Sequence, residues 1–127
     1  LDLFEGVMLK DNHLAIKKDI SAPLIKIKQK YPTKKIQLEI DFFQQLETIY
    51  YPNQKDIDAI LLDNMDRLET IKCVDYIKQI NKSCFIESSG GINLKNIKNY
   101  IETGIHGISI GALTHQVTSK NIKLEIK

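Results

Sequence analysis

The fold is decided by a stretch in the middle of the chain, which reads Ile57-Asp58-Ala59-Ile60-Leu61-Leu62-Asp63-Asn64-Met65-Asp66. Residues 57–62 are almost continuously apolar, which predicts a buried strand that ends at Asp63 and Asn64. Asp66 and Glu69 have the spacing of a capping box, so a helix is expected to start there. The buried stripe of this helix is predicted at Leu68, Ile71, Val74 and Ile77. A strand, a polar turn and a helix in this order form the unit of parallel α/β sheets.

The same unit recurs on both sides of this stretch. Further strands are predicted at residues 6–9, 36–40, 84–87, 107–110 and 122–126. Other helices are predicted to be capped by Ser21, Asp41 and Asn93, and Gly104 suits the left-handed turn after the last of them. Strands that alternate with helices imply parallel pairing. The expected fold is α/β, a partial (β/α) barrel of about six parallel strands, because 127 residues fall far short of the ~250 in a complete eightfold barrel.

Composition and charge exclude several classes of protein. Hydrophobic residues make up 43% and charged residues 27% of the chain, which excludes disordered, collagen-like and disulfide-stapled proteins. No apolar run reaches the ~20 residues of a membrane span, and a net charge of +2 does not indicate nucleic acid, so neither partner is expected. Cys73 and Cys84 lie in apolar patterns and are expected to be buried thiols, which favours the cytoplasm. Arg67 is the sole arginine, so the chain can supply few guanidinium groups to a dicarboxylate.

Polar and small residues are predicted to gather where the strands end. Parallel α/β folds place their ligand sites at this carboxyl-terminal edge, and the residues found there in successive units are Lys10, Glu39, Asp63, Ser88, Ser89 and Gly111. In the second strand the isoleucines and leucine are predicted to face the helices, so Gln37 and Glu39 point inward. A carboxylate inside a barrel costs free energy unless it meets water, a partner or a ligand. Glu39 and Asp63 therefore suit sugar hydroxyls or a divalent cation.

Two glycine-rich turns at this edge predict a phosphate site. Ser89, Gly90 and Gly91 lead towards the helix expected at Asn93, and residues 111–115 form the corresponding turn one unit later. Glycine lets the backbone approach a ligand closely, and free amides at a helix N-terminus attract phosphate. Paired turns of this type late in a barrel are its usual phosphate site.

Each of these features also has a purely structural interpretation. Lys10 and Glu39 can form an ion pair, Asp63 can cap the following helix, and the glycines can form an ordinary turn. His115 can be a surface histidine. The sequence shows no Ser-His-Asp or Cys-His arrangement, so acyl transfer is not expected. Because the features share one edge, the favoured interpretation is a site for a phosphorylated sugar.

Six blocks of sequence carry a family resemblance. They are Leu9-Lys10-Asp11-Asn12-His13, Leu38-Glu39-Ile40, Leu61-Leu62-Asp63-Asn64-Met65, Glu87-Ser88-Ser89-Gly90-Gly91-Ile92, Glu102-Thr103-Gly104 and Ile108-Ser109-Ile110-Gly111-Ala112-Leu113-Thr114-His115. In this order they resemble the quinolinate phosphoribosyltransferases, also called carboxylating nicotinate-nucleotide pyrophosphorylases. The resemblance covers nearly the whole chain and is more specific than any single motif.

The resemblance implies an activity and residue roles. The family is a group of glycosyltransferases that move phosphoribosyl from phosphoribosyl pyrophosphate to quinolinate, with decarboxylation. The products are nicotinate mononucleotide, pyrophosphate and carbon dioxide, the pathway is NAD biosynthesis, and the cofactor is Mg²⁺. By matched position, Lys10, Glu39 and Asp63 are implied to be catalytic, with Lys10 where the two substrates meet and the carboxylates on the ribose hydroxyls and the metal. The residues implied to hold the 5′-phosphate are Ser89, Gly90, Gly91, Gly111 and His115.

The chain also departs from the family pattern. Residues 1–127 match the C-terminal portion of the barrel domain, and the family's N-terminal domain, first barrel strands and basic quinolinate-binding stretch are expected to be absent. Gln37 stands where the family usually has glutamate, and His106 where it usually has aspartate. The resemblance implies a homo-oligomer, a dimer or hexamer, for the full-length form. It also implies little or no turnover by the isolated chain.

Three other functions remain open on the sequence. The chain can be a paralogue of the same fold, such as the molybdenum-transport-associated protein, which acts on another substrate. It can be a non-catalytic or split subunit that works only with a partner chain, because an incomplete barrel leaves open sheet edges. It can also be another barrel phosphate binder, in which Glu39 and Asp63 do not contribute to binding.

Overall fold

The computed structural model describes residues 6–10, 19–110 and 122–125. The strands are β1 (Gly6–Leu9), β2 (Lys35–Ile40), β3 (Ala59–Asp63), β4 (Phe85–Ser89), β5 (Gly107–Ile110) and β6 (Ile122–Glu125). The helices are α1 (Ser21–Lys30), α2 (Phe43–Gln45), α3 (Arg67–Ile80) and α4 (Ile97–Ile101). After α2 the chain continues through a π-helical turn, Leu46–Tyr50, and a 3-10 turn, Tyr51–Asp56. Within the described ranges, no helix has the length and hydropathy needed to cross a membrane.

The strands lie side by side in chain order, from β1 to β6. β1 to β5 are parallel, as the partial-barrel prediction requires. β6 runs antiparallel to β5, so the prediction of about six parallel strands is wrong for the last one. A parallel strand needs a crossover of about a dozen or more residues, usually with a helix, whereas only residues 111–121 separate β5 from β6. The helical turn predicted near residues 112–118 lies outside the described residues.

One face of the sheet packs against the helices and the other forms the inner side of the partial barrel. The buried apolar cluster that joins β2 to α1 and α3 includes Ile36, Leu38, Ile40, Leu24 and Val74. Because side chains alternate along a strand, Gln37 and Glu39 lie on the inner face, as predicted. Gln37 is 1% exposed and Glu39 is partly buried.

Helix α3 is capped as predicted, but its buried face differs from the prediction. The carboxylate of Asp66 accepts a hydrogen bond from the Glu69 amide at 2.8 Å, which confirms the cap. Leu68 is 74% exposed, so its predicted burial is wrong, and the buried positions are Thr70, Cys73, Val74 and Ile77. The predicted stripe advanced by three residues at a time. Each such step turns about 300° around a helix axis, so successive positions drift off one face.

The predicted caps of the first two helices are wrong. Helix α1 begins at Ser21 itself, and the amide and hydroxyl of Ser21 both donate to Asp19 Oδ1, at 2.9 and 2.7 Å. Asp41 does not cap α2. Instead Gln45, within α2, accepts the amides of Asp41 and Phe42 on its side-chain oxygen at 2.7 and 3.0 Å. The orphan amides at a helix start can be satisfied from either direction along the chain.

The amino-terminal edge of the sheet repeats one hydrogen-bonding arrangement. Asp58, just before β3, accepts the amide of Ile36 on Oδ2 at 2.8 Å and donates its own amide to the Ile36 carbonyl at 2.8 Å. His106, just before β5, bonds to Ile86 in the same way, through Nδ1 at 3.0 Å and through its amide at 2.7 Å. The His106 imidazole therefore accepts the kind of backbone hydrogen bond that the Asp58 carboxylate accepts. This explains how a histidine can stand where the resembled family usually has aspartate.

This arrangement predicts a pH-dependent stability. Burial, with a smaller effect from Lys78, lowers the pKa of His106, and Nδ1 can accept the Ile86 amide only when it carries no proton. The unfolded state therefore binds a proton more readily, so stability is full above about pH 6.5 and falls below it. We expect the free energy of urea unfolding to fall as the pH is lowered from about 6.5 to about 5.5, and to fall less in His106→Asp. Equal pH profiles for the two proteins would contradict this role of His106.

Candidate active site at the carboxyl-terminal edge

Three carboxylates converge where β2 and β3 end. Oxygens of Glu39, Asp41 and Asp63 all lie within 4.8 Å of one another, and all three residues are partly buried. Two unit charges at this separation repel by about 3 kcal/mol at an effective dielectric constant of about 20. A cluster of this kind favours a bound cation, and hard divalent cations prefer carboxylate oxygens. Of the described residues, these three form the group suited to hold a metal ion.

Local structure holds each carboxylate in place. Glu39 and Asp41 are on the same face because they are separated by one residue of β2, and the two hydrogen bonds to Gln45 fix the backbone after the strand. Asp63 closes β3, and its Oδ1 accepts a hydrogen bond from Ser89 Oγ at 3.3 Å. The cap of α3 is Asp66, so Asp63 is not needed as a helix cap, and that structural interpretation is wrong.

The turn after β4 brings backbone close to Asp63. Gly90 and Gly91 have φ values of 85° and 69°, a region of backbone conformation that residues other than glycine rarely adopt. The turn is held to β3 by a hydrogen bond from the Asn64 amide to the Ser89 carbonyl at 2.8 Å. Within the described part of the chain, the backbone amides of residues 90–92 donate to no acceptor. These amides can therefore serve an anionic ligand.

The helix predicted to begin at Asn93 begins later. Helix α4 starts at Ile97 and has 5 residues, while Asn93 Oδ1 accepts the amides of Lys95 and Asn96 at 2.8 and 3.2 Å. Asparagine side chains readily form such turns with the backbone that follows them. The phosphate interpretation of this segment therefore rests on the turn amides and not on a helix dipole. Gly104, which follows α4, has a φ of 93°, and this confirms its predicted left-handed turn.

Replacement of Gly90 tests how closely this turn approaches β3. A Cβ at Gly90 would lie 3.0 Å from the Asn64 nitrogen and 3.1 Å from Asp63 Oδ1, whereas a Cβ at Gly91 would have 3.7 Å to Asn64 Oδ1. We expect Gly90→Ala to lower the free energy of unfolding by about 1–3 kcal/mol. Gly91→Ala should lower the free energy of unfolding by about 1 kcal/mol, because its backbone conformation is strained for alanine but the added Cβ clashes with no atom. Equal losses in chemical denaturation would show that the close approach is unimportant.

The remaining predicted site residues fall into two groups. Leu9 of β1 pairs with Leu38 of β2, so the next residues along the two strands are Lys10 and Glu39, and Lys10 is exposed at the same edge. Ser88 faces the helices and is buried. Gly111 and His115 lie outside the described residues, and their roles stay predictions.

Two features of the site were not predicted from the sequence. Asp41 was interpreted as a helix cap, although its position two residues after Glu39 places it on the same face. Glu87 was not considered. Its fully buried carboxylate accepts hydrogen bonds from Gln37 Nε2 at 3.3 Å and Ser109 Oγ at 2.7 Å. The signal for Glu87 was its position two residues before Ser89 on the inner face of β4.

An open cleft of about 480 Å³ adjoins the cluster, between the turns after β2 and β3. Asp41 forms part of its wall, and the other lining residues are Phe42, Asn64, Met65, Asp66, Leu68, Glu69 and Lys72. The cleft is wide enough for a small ligand or for a segment of chain. Asp41 is therefore shared between the cleft and the cluster of three carboxylates.

The two cysteines take no part in this site. Both are free and buried, and burial raises the pKa of Cys73 to about 12 and that of Cys84 to about 11. Since the thiolate is the nucleophile, both thiols are inert near neutral pH. This confirms the prediction that they are buried thiols.

The fold and the edge together define a class of protein. Parallel strands in chain order, covered by helices and ending in acidic and glycine-rich turns, are typical of barrel domains that bind phosphorylated substrates at the carboxyl-terminal edge. A family model described as "Quinolinate phosphoribosyl transferase, C-terminal domain" matches residues 1–125. The chain belongs to this family.

Relatives support the same assignment. The chain is 34% identical over 129 residues to the probable carboxylating nicotinate-nucleotide pyrophosphorylase of Methanocaldococcus jannaschii, covering 98% of this chain and 44% of the relative. It is 30% identical over 126 residues to the corresponding protein of Mycobacterium leprae, covering 99% of this chain and 43% of the relative. The chain therefore spans less than half the length of these curated relatives.

Solved structures show the same fold. The nicotinate-nucleotide pyrophosphorylase of Ehrlichia chaffeensis superposes with a TM-score of 0.63 at 33% identity, covering 82% of this chain and 36% of that one. The enzyme of the same name from Francisella tularensis gives a TM-score of 0.70 at 22% identity, covering 99% and 43%. The second similarity supports the partial barrel alone.

Proposed function

We propose that this chain carries the phosphoribosyl half of a quinolinate phosphoribosyltransferase site. The full reaction is transfer of phosphoribosyl from phosphoribosyl pyrophosphate to quinolinate, with release of pyrophosphate and carbon dioxide, and it yields nicotinate mononucleotide. The single observation that carries the proposal is the convergence of Glu39, Asp41 and Asp63 within 4.8 Å beside the Gly90 turn. Membership of the family adds the identity of the substrates.

Each part of the edge has a function in this proposal. The amides of residues 90–92 hold the 5′-phosphate together with Ser89, and Gly111 and His115 are expected to contribute, as the family resemblance implies. Glu39 and Asp63 accept hydrogen bonds from the ribose hydroxyls, and Lys10 lies where the two substrates meet. Hydrogen bonds between charged groups and hydroxyls or amides are among the stronger ones, each worth about 1.5–3 kcal/mol. Several of them together would fix the ribose over the inner face of the sheet.

We propose that the cation is Mg²⁺, held by Glu39 and Asp63 and, on the geometry, also by Asp41. The donor set fits, because Mg²⁺ usually combines one or two carboxylates with water and substrate phosphate. When bound, the ion would neutralise negative charge on the leaving pyrophosphate. The carboxylates themselves stabilise positive charge as it develops at the anomeric carbon of the ribose.

The quinolinate half of the site needs groups beyond the described residues. Arg67, the sole arginine of the chain, lies 3.9 Å from Glu102 in an exposed ion pair. Arginine side chains are well suited to bind the two carboxylates of quinolinate, because a guanidinium group can donate two hydrogen bonds to one carboxylate. We propose that another part of the protein or another subunit supplies these arginines. The sheet has two edges, β1 and β6, and we propose a homo-oligomer, a dimer or hexamer, for the full-length form. Free buried thiols support the cytoplasm as its compartment.

Binding of phosphoribosyl pyrophosphate tests this proposal. Titration calorimetry on the 127-residue chain should show weak binding in the presence of Mg²⁺ and none when the ion is removed by a chelator. Nicotinate mononucleotide should form at a negligible rate from the chain alone. Absence of Mg²⁺-dependent binding would contradict the phosphoribosyl site. Turnover like that of a complete enzyme would contradict the claim that the quinolinate half lies elsewhere.

A further inference from the structure

A fully buried carboxylate lies on the inner face of β4, two residues before Ser89. Glu87 of β4 is 0% exposed, and its two oxygens accept hydrogen bonds from Gln37 of β2 and from Ser109 of β5. The bond from Ser109 is short, at 2.7 Å, as expected for a hydroxyl that donates to a carboxylate. Buried charges of this kind are often replaceable by apolar residues without loss of stability. Stability alone is therefore a weak explanation for Glu87.

Small residues on the neighbouring strands make room for this network. Gln37 pairs in register with Ala59 of β3, whose side chain is a single methyl group, and Gln37 Nε2 reaches Glu87 Oε1 on β4 at 3.3 Å. Glu87 itself pairs with Gly107 of β5, which has no side chain to occupy the space. The network therefore spans four strands, and the sequence provides both the polar groups and the space that they need.

Strand β2 carries both a residue of the network and a residue of the acidic cluster, and β4 carries a hydrogen-bond partner of the cluster. On β2, Gln37 is followed two residues later by Glu39. On β4, Glu87 is followed by Ser89, which donates to Asp63 Oδ1 at 3.3 Å. Residues two apart on a strand share a face and are joined by stiff backbone. A fixed separation between Gln37 and Glu87 therefore fixes the separation between Glu39 and the Ser89–Asp63 pair above it.

We propose that Glu87 is a positioning residue: oriented by Ser109 and bonded to Gln37, it holds Glu39 and the Ser89–Asp63 pair at the spacing that the divalent cation requires. The inference rests on the proposed function, because the cation is part of it. Groups that orient metal ligands without touching the metal typically change metal affinity by about 10–100-fold when they are replaced. Glu87 acts on Glu39 and Asp63 through other residues, so we expect a loss of metal affinity at the lower end of that range.

The test is the affinity for Mn²⁺, measured by electron paramagnetic resonance on the folded chain. Glu87→Gln keeps the shape and one acceptor oxygen but removes the charge, and it should weaken Mn²⁺ binding about tenfold without lowering the urea midpoint. Glu102→Gln makes the same chemical change at an exposed position, with a side chain 52% exposed, and should leave the affinity unchanged. Ser109→Ala removes the shortest bond of the network while keeping the carboxylate, and should weaken binding several-fold.

The outcomes separate this inference from the proposed function. If Glu87→Gln and Ser109→Ala fold and bind Mn²⁺ as tightly as the wild type, while Asp63→Asn does not, the positioning role is overturned and the proposed site stands. A loss of stability without a loss of affinity would also overturn it, because it would make the network purely structural. If Glu87→Gln does not fold, Ser109→Ala decides. If the wild-type chain binds no Mn²⁺, both proposals are overturned.

Discussion

Replacement of Asp63 by asparagine is expected to weaken Mg²⁺-dependent binding of phosphoribosyl pyrophosphate about a hundredfold. The change keeps the size of the side chain and one oxygen for Ser89, but it removes a charge from a cluster whose oxygens lie within 4.8 Å of one another. Loss of a charged interaction of about 3 kcal/mol corresponds to about a hundredfold in affinity. The measurement is titration calorimetry with and without Mg²⁺. Without metal, the variant should be as stable as the wild type or more stable, because a repulsion is relieved.

Asp66→Asn is the matched control for this substitution. Asp66 lies on the same turn and undergoes the same chemical change, but its role is to accept the Glu69 amide at the start of α3. Asparagine and aspartate are about equally good at that position, so both stability and ligand affinity should be nearly unchanged. If the two variants lose affinity to the same extent, general acidity of the edge is responsible, and Asp63 has no specific role.

Truncation of Leu62 to alanine is expected to lower the free energy of unfolding by about 2–5 kcal/mol. Leu62 lies in the central strand β3, is 0% exposed and belongs to the core cluster. The loss combines the transfer free energy of the removed methyl groups with the cost of the cavity left behind. Since whole domains are stabilised by only about 5–15 kcal/mol, this variant should unfold at a much lower urea concentration than the wild type.

Leu68→Ala is the control, because it makes the same change on an exposed surface. Leu68 is 74% exposed and should cost no more than about 0.5 kcal/mol. The pair also tests which face of α3 is buried. A large loss in Leu68→Ala together with a small loss in Leu62→Ala would contradict the described packing of α3 on the sheet.

The positions of the strands and the inner face of the sheet could be predicted from the sequence, because both follow from local rules. The apolar run at residues 57–62 predicts a buried strand. The alternation in β2 places Gln37 and Glu39 on one face of the sheet and Ile36 and Leu38 on the other. Capping at Asp66 depends on residues three positions apart, and it was also predicted correctly. Such features need no knowledge of distant contacts.

Other features depend on tertiary contacts and escaped prediction. Asp41 was assigned to a helix start because aspartate favours caps, but Gln45 satisfies the amides there, and the carboxylate of Asp41 lies with Glu39 and Asp63. The burial of Leu68 was predicted from a spacing of three residues, which does not follow one helix face. The bond between Glu87 and Gln37 joins residues fifty positions apart, and sequence pattern alone cannot indicate it.

The location of the cation can be measured through paramagnetic line broadening by Mn²⁺ in nuclear magnetic resonance spectra of the ¹⁵N-labelled chain with phosphoribosyl pyrophosphate present. The first amide signals to disappear should belong to residues 39–41, 63–64 and 89–91, at the carboxyl-terminal edge. Signals from Asp58 and His106, at the opposite edge, should persist. Broadening that begins at the opposite edge, or that spreads over exposed acidic residues such as Asp19 and Asp56, would contradict the proposed site.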